Sequence, residues 1–161
     1  MYTDIINSEV TKEFENMTRE MGFQKIIDLK TLKLKMIQEE NYEKLRSLVS
    51  SNKMDILLNP HIQTKKDNPH FRMSGLDQVI CKELFNKKIP IVITMDSLTG
   101  PKEIGRAMQN IRLCRKYKVK ILFFTFAKNP YELRHVKDIQ SFLKILGMTG
   151  EEAKNAFNFE F

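Results

Sequence analysis

The chain has 161 residues, 42% of them hydrophobic and 29% charged, with 27 Lys and Arg against 20 Asp and Glu for a net charge of +7. That length suits a single domain, taken as residues 1–161, and the composition excludes fibrous and disordered classes. No apolar run approaches the roughly 20 residues that a membrane helix requires, and MYTDIINSEV lacks the basic-then-apolar pattern of a secretory signal.

In chain order, Tyr2 to Asn7 reads as a strand. A helix follows with Val10, Phe14, Met17 and Met21 on one face and Gly22 as its stop. Phe23 to Leu29 is a second strand, and Leu32 to Ile37 a weaker third with period-two alternation. A helix from Asn41 to Ser51 carries Tyr42, Leu45, Leu48 and Val49, and Asp55 to Leu58 is a short strand ending at Asn59-Pro60. Residues 61 to 73, HIQTKKDNPHFRM, form the one long irregular stretch. A helix is expected to begin at Ser74, with Asp77 as its capping-box carboxylate and Leu76, Val79, Ile80 and Leu84 on its apolar face.

Pro90 to Met95 is a near-continuous apolar strand, and 97 to 101 a turn. The helix Lys102 to Tyr117 buries Ile104, Ala107, Met108, Ile111 and Cys114, and Lys120 to Phe126 is the strongest strand. Asn129-Pro130-Tyr131-Glu132 combines an N-cap, a first-turn proline and an acidic third position, which predicts a helix from there to Leu146, stopped by Gly147. Thr149 with Glu152 opens a last short helix. Strands alternating with helices imply right-handed βαβ units and a parallel sheet. About six strands are too few for a complete eight-stranded barrel, leaving an incomplete barrel or an open sheet.

Little in the chain suggests a self-contained catalytic site. Neither GxGxxG nor GxxxxGK[ST] occurs. His61 and His70 share a loop with Asp67 but lack zinc spacing and read as solvated, while Cys81 and Cys114 lack CxxC spacing and read as reduced core thiols. Asp4, Asp28, Asp55 and Asp96 lie near strand ends, where carboxylates more often cap neighbouring elements than catalyse. Ser74 and Ser97 belong to no local nucleophile signature.

Charge is more informative. From Pro101 to Lys137 there are 10 basic residues and 2 acidic ones, a net +8, so the rest of the chain is −1. A concentrated positive zone suits a polyanionic partner, although a solvated helix face has the same composition. At 100° per residue, Lys102, Gln109, Arg112 and Lys116 share one arc with Arg106 at its edge, opposite Ile104, Ala107, Met108 and Ile111. Arg115 is expected beside the apolar face.

DILLNP (55–60), the lysines with Asp67, SGLDQVICKELFNKKIPIVI (74–93) and IGRAMQNIRLCRKYKVKILFFTFAKNPYELRHVKDIQSFLKILGM (104–148) together resemble protein component 3 of archaeal ribonuclease P, a relative of the eukaryotic thirty-kilodalton subunit. The resemblance is good from Met54 to Phe157 and general over Tyr2 to Leu29. The family places a basic D-S-G loop where this chain inserts NPHFRM (68–73) between Asp67 and Ser74, and the stretch from Leu29 to Met54 is short, as if one βα unit were missing.

The resemblance implies an α/β fold of parallel βα units forming a TIM-barrel-like, incomplete barrel. It implies a subunit of an endonuclease that removes the 5′ leader of precursor tRNA. The partners would be the catalytic domain of the ribonuclease P RNA, protein component 2 and the other ribonuclease P proteins, with precursor tRNA met indirectly. Mg²⁺ would sit on the RNA, which does the chemistry, and the chain would bind no cofactor or metal itself. The RNA-binding candidates are Lys65, Lys66, Arg72, Lys102, Arg106, Arg112, Lys116, Lys128 and Arg134. Location would be cytoplasmic. Two rivals remain: a metal-dependent phosphoesterase of related barrel fold, disfavoured because strand one reads YTDIIN without His-x-His, and a protein scaffold that binds no RNA.

Overall fold

The computed structural model describes residues 1–51 and 53–159. Short segments of two to four residues become strands, and amphipathic stretches between them become helices. The order is β1 (Thr3–Ile6), α1 (Lys12–Glu20), β2 (Lys25–Asp28), β3 (Met36–Ile37), α2 (Tyr42–Ser50), β4 (Ile56–Leu58), α3 (Gln78–Asn86), β5 (Ile91–Thr94), α4 (Pro101–Tyr117), β6 (Ile121–Phe124), α5 (Val136–Ile145) and α6 (Gly150–Asn155). The strand ladders β1–β2, β3–β4 and β4–β5 are all parallel, so the chain is an α/β fold with parallel strands. Among the described residues, no helix is long and apolar enough to cross a membrane.

The chain divides into two compact units: Met1–Lys33, Thr94–Asp96 and the chain from Leu122 onward form one, and Leu34–Ile93 with Ser97–Ile121 the other. In the first, β1 pairs with β2 in the register Thr3 to Lys25 through Ile6 to Asp28. All four β1 residues, Thr3, Asp4, Ile5 and Ile6, are buried, as expected of a strand covered on both faces. On its far side, the Phe126 N–H donates to the Ile5 carbonyl at 3.1 Å and the Asn7 N–H to the Ala127 carbonyl at 3.0 Å. Phe157 meets Tyr2, Phe23 and Phe123 edge to face, with centroids 6.0, 5.7 and 6.2 Å apart. The Asp4 carboxylate accepts from the Thr125 N–H (2.8 Å) and hydroxyl and from the Ile5 N–H (3.0 Å). Burial nevertheless dominates those bonds and pushes its pKa up to about 6.

In the second unit, β3, β4 and β5 lie side by side, and the Ile91 N–H donates to the Lys120 carbonyl at 2.9 Å. Leu45, Val49, Leu57, Ile80, Cys81, Leu84, Ile91 and Cys114 form its core, so both thiols are buried and unbridged.

Two helix starts differ from expectation. Ser74 does not open α3; Asp77 is itself the N-cap, accepting from the Ile80 N–H at 2.8 Å, because Gly75 has φ +81° and breaks the chain before it. The 129–146 stretch is also not one helix. Asn129 caps a single tight turn, Pro130–Glu132, the chain extends through Leu133, and α5 starts afresh with His135 as N-cap. The Thr149–Glu152 capping box forms as expected, with the Glu152 carboxylate accepting from the Thr149 N–H at 2.7 Å and the Thr149 hydroxyl from the Glu152 N–H at 3.1 Å.

Candidate nucleic-acid interface

The long helix α4 and the irregular 61–73 stretch build one surface in the second unit. Their joint is Arg106. Expected at the edge of an outward basic arc, it is only 1% exposed. Its Nη1 donates to the carbonyls of Gln63 at 3.0 Å and His61 at 3.4 Å, and its Nη2 to the Lys65 carbonyl at 2.7 Å. Nε lies 2.9 Å and Nη2 2.8 Å from Asp67 Oδ1. The placement read from the sequence is thereby corrected: helical periodicity assigns Arg106 to the edge of the basic arc, but the loop offers it a carboxylate and three carbonyls inside.

Asp67 Oδ1 also accepts from the Met73 N–H at 2.8 Å, so one carboxylate ties the start of the turn to its end. Desolvation alone would raise the Asp67 pKa. The Arg106 and Met73 bonds, with the charges of Arg106 and Arg72, outweigh it and hold the carboxyl below its ordinary value. A second row of bonds runs alongside. Arg72 Nη1 donates to the Gly105 carbonyl at 2.9 Å, Gln109 Nε2 to the Arg72 carbonyl and the Ser74 hydroxyl at 3.1 Å each, and Asn110 Nδ2 to the Ser74 carbonyl at 2.8 Å. Gly105 is what lets Arg72 lie down, since a Cβ there would stand 2.6 Å from Arg72 Nη1.

The remaining candidates are placed as follows. Lys65, Lys66, Arg72, Lys102, Arg112 and Lys116 are exposed on the second unit. Lys102 pairs with Glu103 at 3.3 Å, and Lys116 lies 5.5 Å from the centre of the Tyr117 ring. Lys128 and Arg134 are exposed on the first unit, where Arg134 Nη1 donates to the Tyr131 and Leu133 carbonyls at 3.0 Å each. Arg115, expected to pack beside the apolar face, is exposed; the buried positions of α4 are Arg106, Ala107, Asn110, Ile111 and Cys114.

Sequence reasoning missed Asn110, Gln109 as a loop anchor, and the burial of His61. His61 is not solvated but fully buried, with Nε2 2.9 Å from the Ser97 hydroxyl and Nδ1 without a hydrogen-bond partner among the described residues. Desolvation lowers its pKa to about 4. The signal available was Asn59-Pro60 immediately before it, a turn-forming pair, and Asn59 does adopt the left-handed region at φ 44°. Among the described residues, no three His, Cys, Asp or Glu side chains group as metal ligands.

No family model matches the chain. Ribonuclease P protein component 3 of Methanosarcina mazei is 27% identical over 142 residues, covering 74% of this chain and 59% of that protein. The protein of the same name from Methanocaldococcus jannaschii is 26% identical over 107 residues, covering 63% and 43%. A chain of a cryo-EM structure of archaeal ribonuclease P with mature tRNA superposes with a TM-score of 0.63 over 96% of this chain and 64% of that one, at 21% identity. The chain is thus similar in sequence to archaeal ribonuclease P protein component 3. The chain spans between about two-fifths and three-fifths of the component 3 proteins it matches. The likeness to the ribonuclease P chain is one of fold.

Proposed function

We propose that this chain is a protein subunit of ribonuclease P that binds the catalytic domain of the RNA and supports removal of the 5′ leader from precursor tRNA. The observation that supports this most is the basic surface of α4 and its loop in a chain similar in sequence to component 3. Lys65, Lys66 and Arg112 are exposed, and their side chains make no hydrogen bond or ion pair among the described residues. Such side chains suit phosphate oxygens, which fix position and carry most of the salt-dependent affinity. Lys102, Lys116 and Arg72 join them as phosphate contacts on the second unit, and Lys128 and Arg134 are separate phosphate contacts on the first. Arg106 serves the same surface from beneath, by holding the loop that carries the lysines.

In this reading the RNA and its Mg²⁺ perform the hydrolysis, the chain has no catalytic site, and its contribution is to neutralise crowded phosphates. Its partners are the ribonuclease P RNA, protein component 2 and the other protein subunits, in the cytoplasm. The architecture proposed with it is one component 3-like domain, a TIM-barrel-like, incomplete barrel. The parallel ladders and the likeness in fold to a ribonuclease P chain support it.

The test is reconstitution. The purified chain alone leaves precursor tRNA intact at every Mg²⁺ concentration, and raises cleavage by the cognate RNA when added with component 2. Leader removal by the chain free of RNA would overturn the proposal and revive a phosphoesterase.

A further inference from the structure

Between the tip of the 67–72 turn and α4 lies an open groove of about 470 Å³, lined by Pro69, His70, Phe71, Met108, Gln109 and Arg112. The size falls within the roughly 300–1,000 Å³ of small-ligand clefts. The tip is built rather than slack. Asn68 Oδ1 accepts from the N–H groups of His70 (3.0 Å) and Phe71 (2.6 Å), and the Asn68 N–H donates to the Phe71 carbonyl at 2.9 Å. Both feet are fastened to α4, one by Asp67 to Arg106 and the other by Arg72 to the Gly105 carbonyl.

What this tip presents is a phenyl ring. Phe71 is 48% exposed and has no ring contact among the described residues; it lines the groove with the cations Arg72 and Arg112 and with Asp67, Asn68, Pro69, His70, Met108 and Gln109, and Lys65 and Lys66 are exposed earlier in the same loop. Phosphates alone would need only the cations. An aromatic face held out among cations matches the two halves of a nucleotide, since a base stacks on a ring and a phosphate pairs with a guanidinium. In a duplex the base faces are already stacked, so only an unpaired nucleotide can offer one.

We propose that this groove takes one unpaired RNA nucleotide, its base against Phe71 and its phosphate on Arg112. This rests on the RNA-binding function above and adds to it the strand state that the surface selects and a base contact that charge alone does not supply.

The experiment compares a single-stranded eight-nucleotide oligouridylate with a hairpin duplex of equal phosphate number, titrated against the full chain by fluorescence anisotropy. The variants are Phe71→Ala, Phe71→Trp and Arg112→Ala. The expected result is that Phe71→Ala weakens the single strand about tenfold and leaves the duplex unchanged, while Phe71→Trp retains wild-type binding. Arg112→Ala weakens both ligands. Since Phe71 is half exposed at a turn tip and Arg112 is exposed on α4, all three variants keep the wild-type unfolding transition. If Phe71→Ala binds the single strand as tightly as wild type while Arg112→Ala does not, the base site is overturned and the RNA-binding function stands. If wild type binds neither RNA, both are overturned. Equal competition by oligoglutamate of matched charge would also overturn the base site, in favour of a face for acidic proteins.

Discussion

The Arg106 guanidinium grips Asp67 from 39 residues away, with Nε at 2.9 Å and Nη2 at 2.8 Å from a single carboxylate oxygen. The same side chain satisfies the carbonyls of His61, Gln63 and Lys65, so it organises the loop as a cation would organise a ring of oxygens. The basic surface over α4 thus depends on a cation that is not on it.

Arg106→Ala is therefore expected to cost about 3–5 kcal/mol, because it strips a buried guanidinium from its partners and leaves carbonyls and a carboxylate without donors. Arg106→Lys recovers part of that, having charge but no planar fork. Urea unfolding followed by circular dichroism measures both. A loss under about 0.5 kcal/mol for the alanine variant, the usual range of a surface change, would show that the buried network carries little.

Arg112 and Lys116 stand in contrast. Replacing either with Ala should leave unfolding unchanged within about 0.5 kcal/mol, weaken RNA binding similarly across sequences, and lower the salt slope by about one unit. Binding isotherms between low and physiological salt decide it. Unaltered affinity and slope for the double variant would make this a merely solvated face.

Gly105→Ala is expected to stabilise the chain by up to about 1 kcal/mol, since glycine inside a helix is unfavourable by roughly that amount. The new methyl would stand 2.6 Å from Arg72 Nη1, and the flexible end of that side chain can swing away. Thermal unfolding reports the gain. A lowered transition would mean that the Arg72 tie to the Gly105 carbonyl is worth more than the helix propensity.

His61 sets a pH dependence. Its pKa is lowered by desolvation from 6.5 to about 4, so between these values the unfolded chain binds a proton that the folded one refuses. Stability from this group is complete above about pH 6.5 and falls as pH drops toward 4, by at most roughly 3 kcal/mol. Asp4 acts oppositely: with its pKa raised from 3.8 to about 6, its contribution is present at low pH and fades as pH rises through that window. Comparing His61→Gln with wild type cancels Asp4. The wild type should gain stability relative to the variant from pH 4 to 6.5, and a constant difference would refute the assignment.

Much of the architecture was legible in the residues. Runs such as Ile91 to Thr94 and Ile121 to Phe124 announce buried strands, and the spacing between them leaves room only for crossover helices, so parallel pairing follows. The Thr149–Glu152 capping box involves residues three apart, and local chemistry determined it. The joint helix expected from Asn129 failed for the same local reason: the Asn129–Pro130 start yields one tight turn, and Leu133, extended at ψ 147°, ends it before α5 is capped anew.

The composition and spacing of α4 established a long amphipathic helix with an excess of cations, but not which cations face water. Periodicity places a charged side chain outward because burying an unpaired guanidinium is prohibitive. Arg106 is buried because the fold brings it partners from 61 to 67, and Arg115, one residue past Cys114, stays in solvent. Those partners are mostly backbone carbonyls, which every residue possesses and no side-chain pattern reveals; only the folded path of the loop could assign them to Arg106.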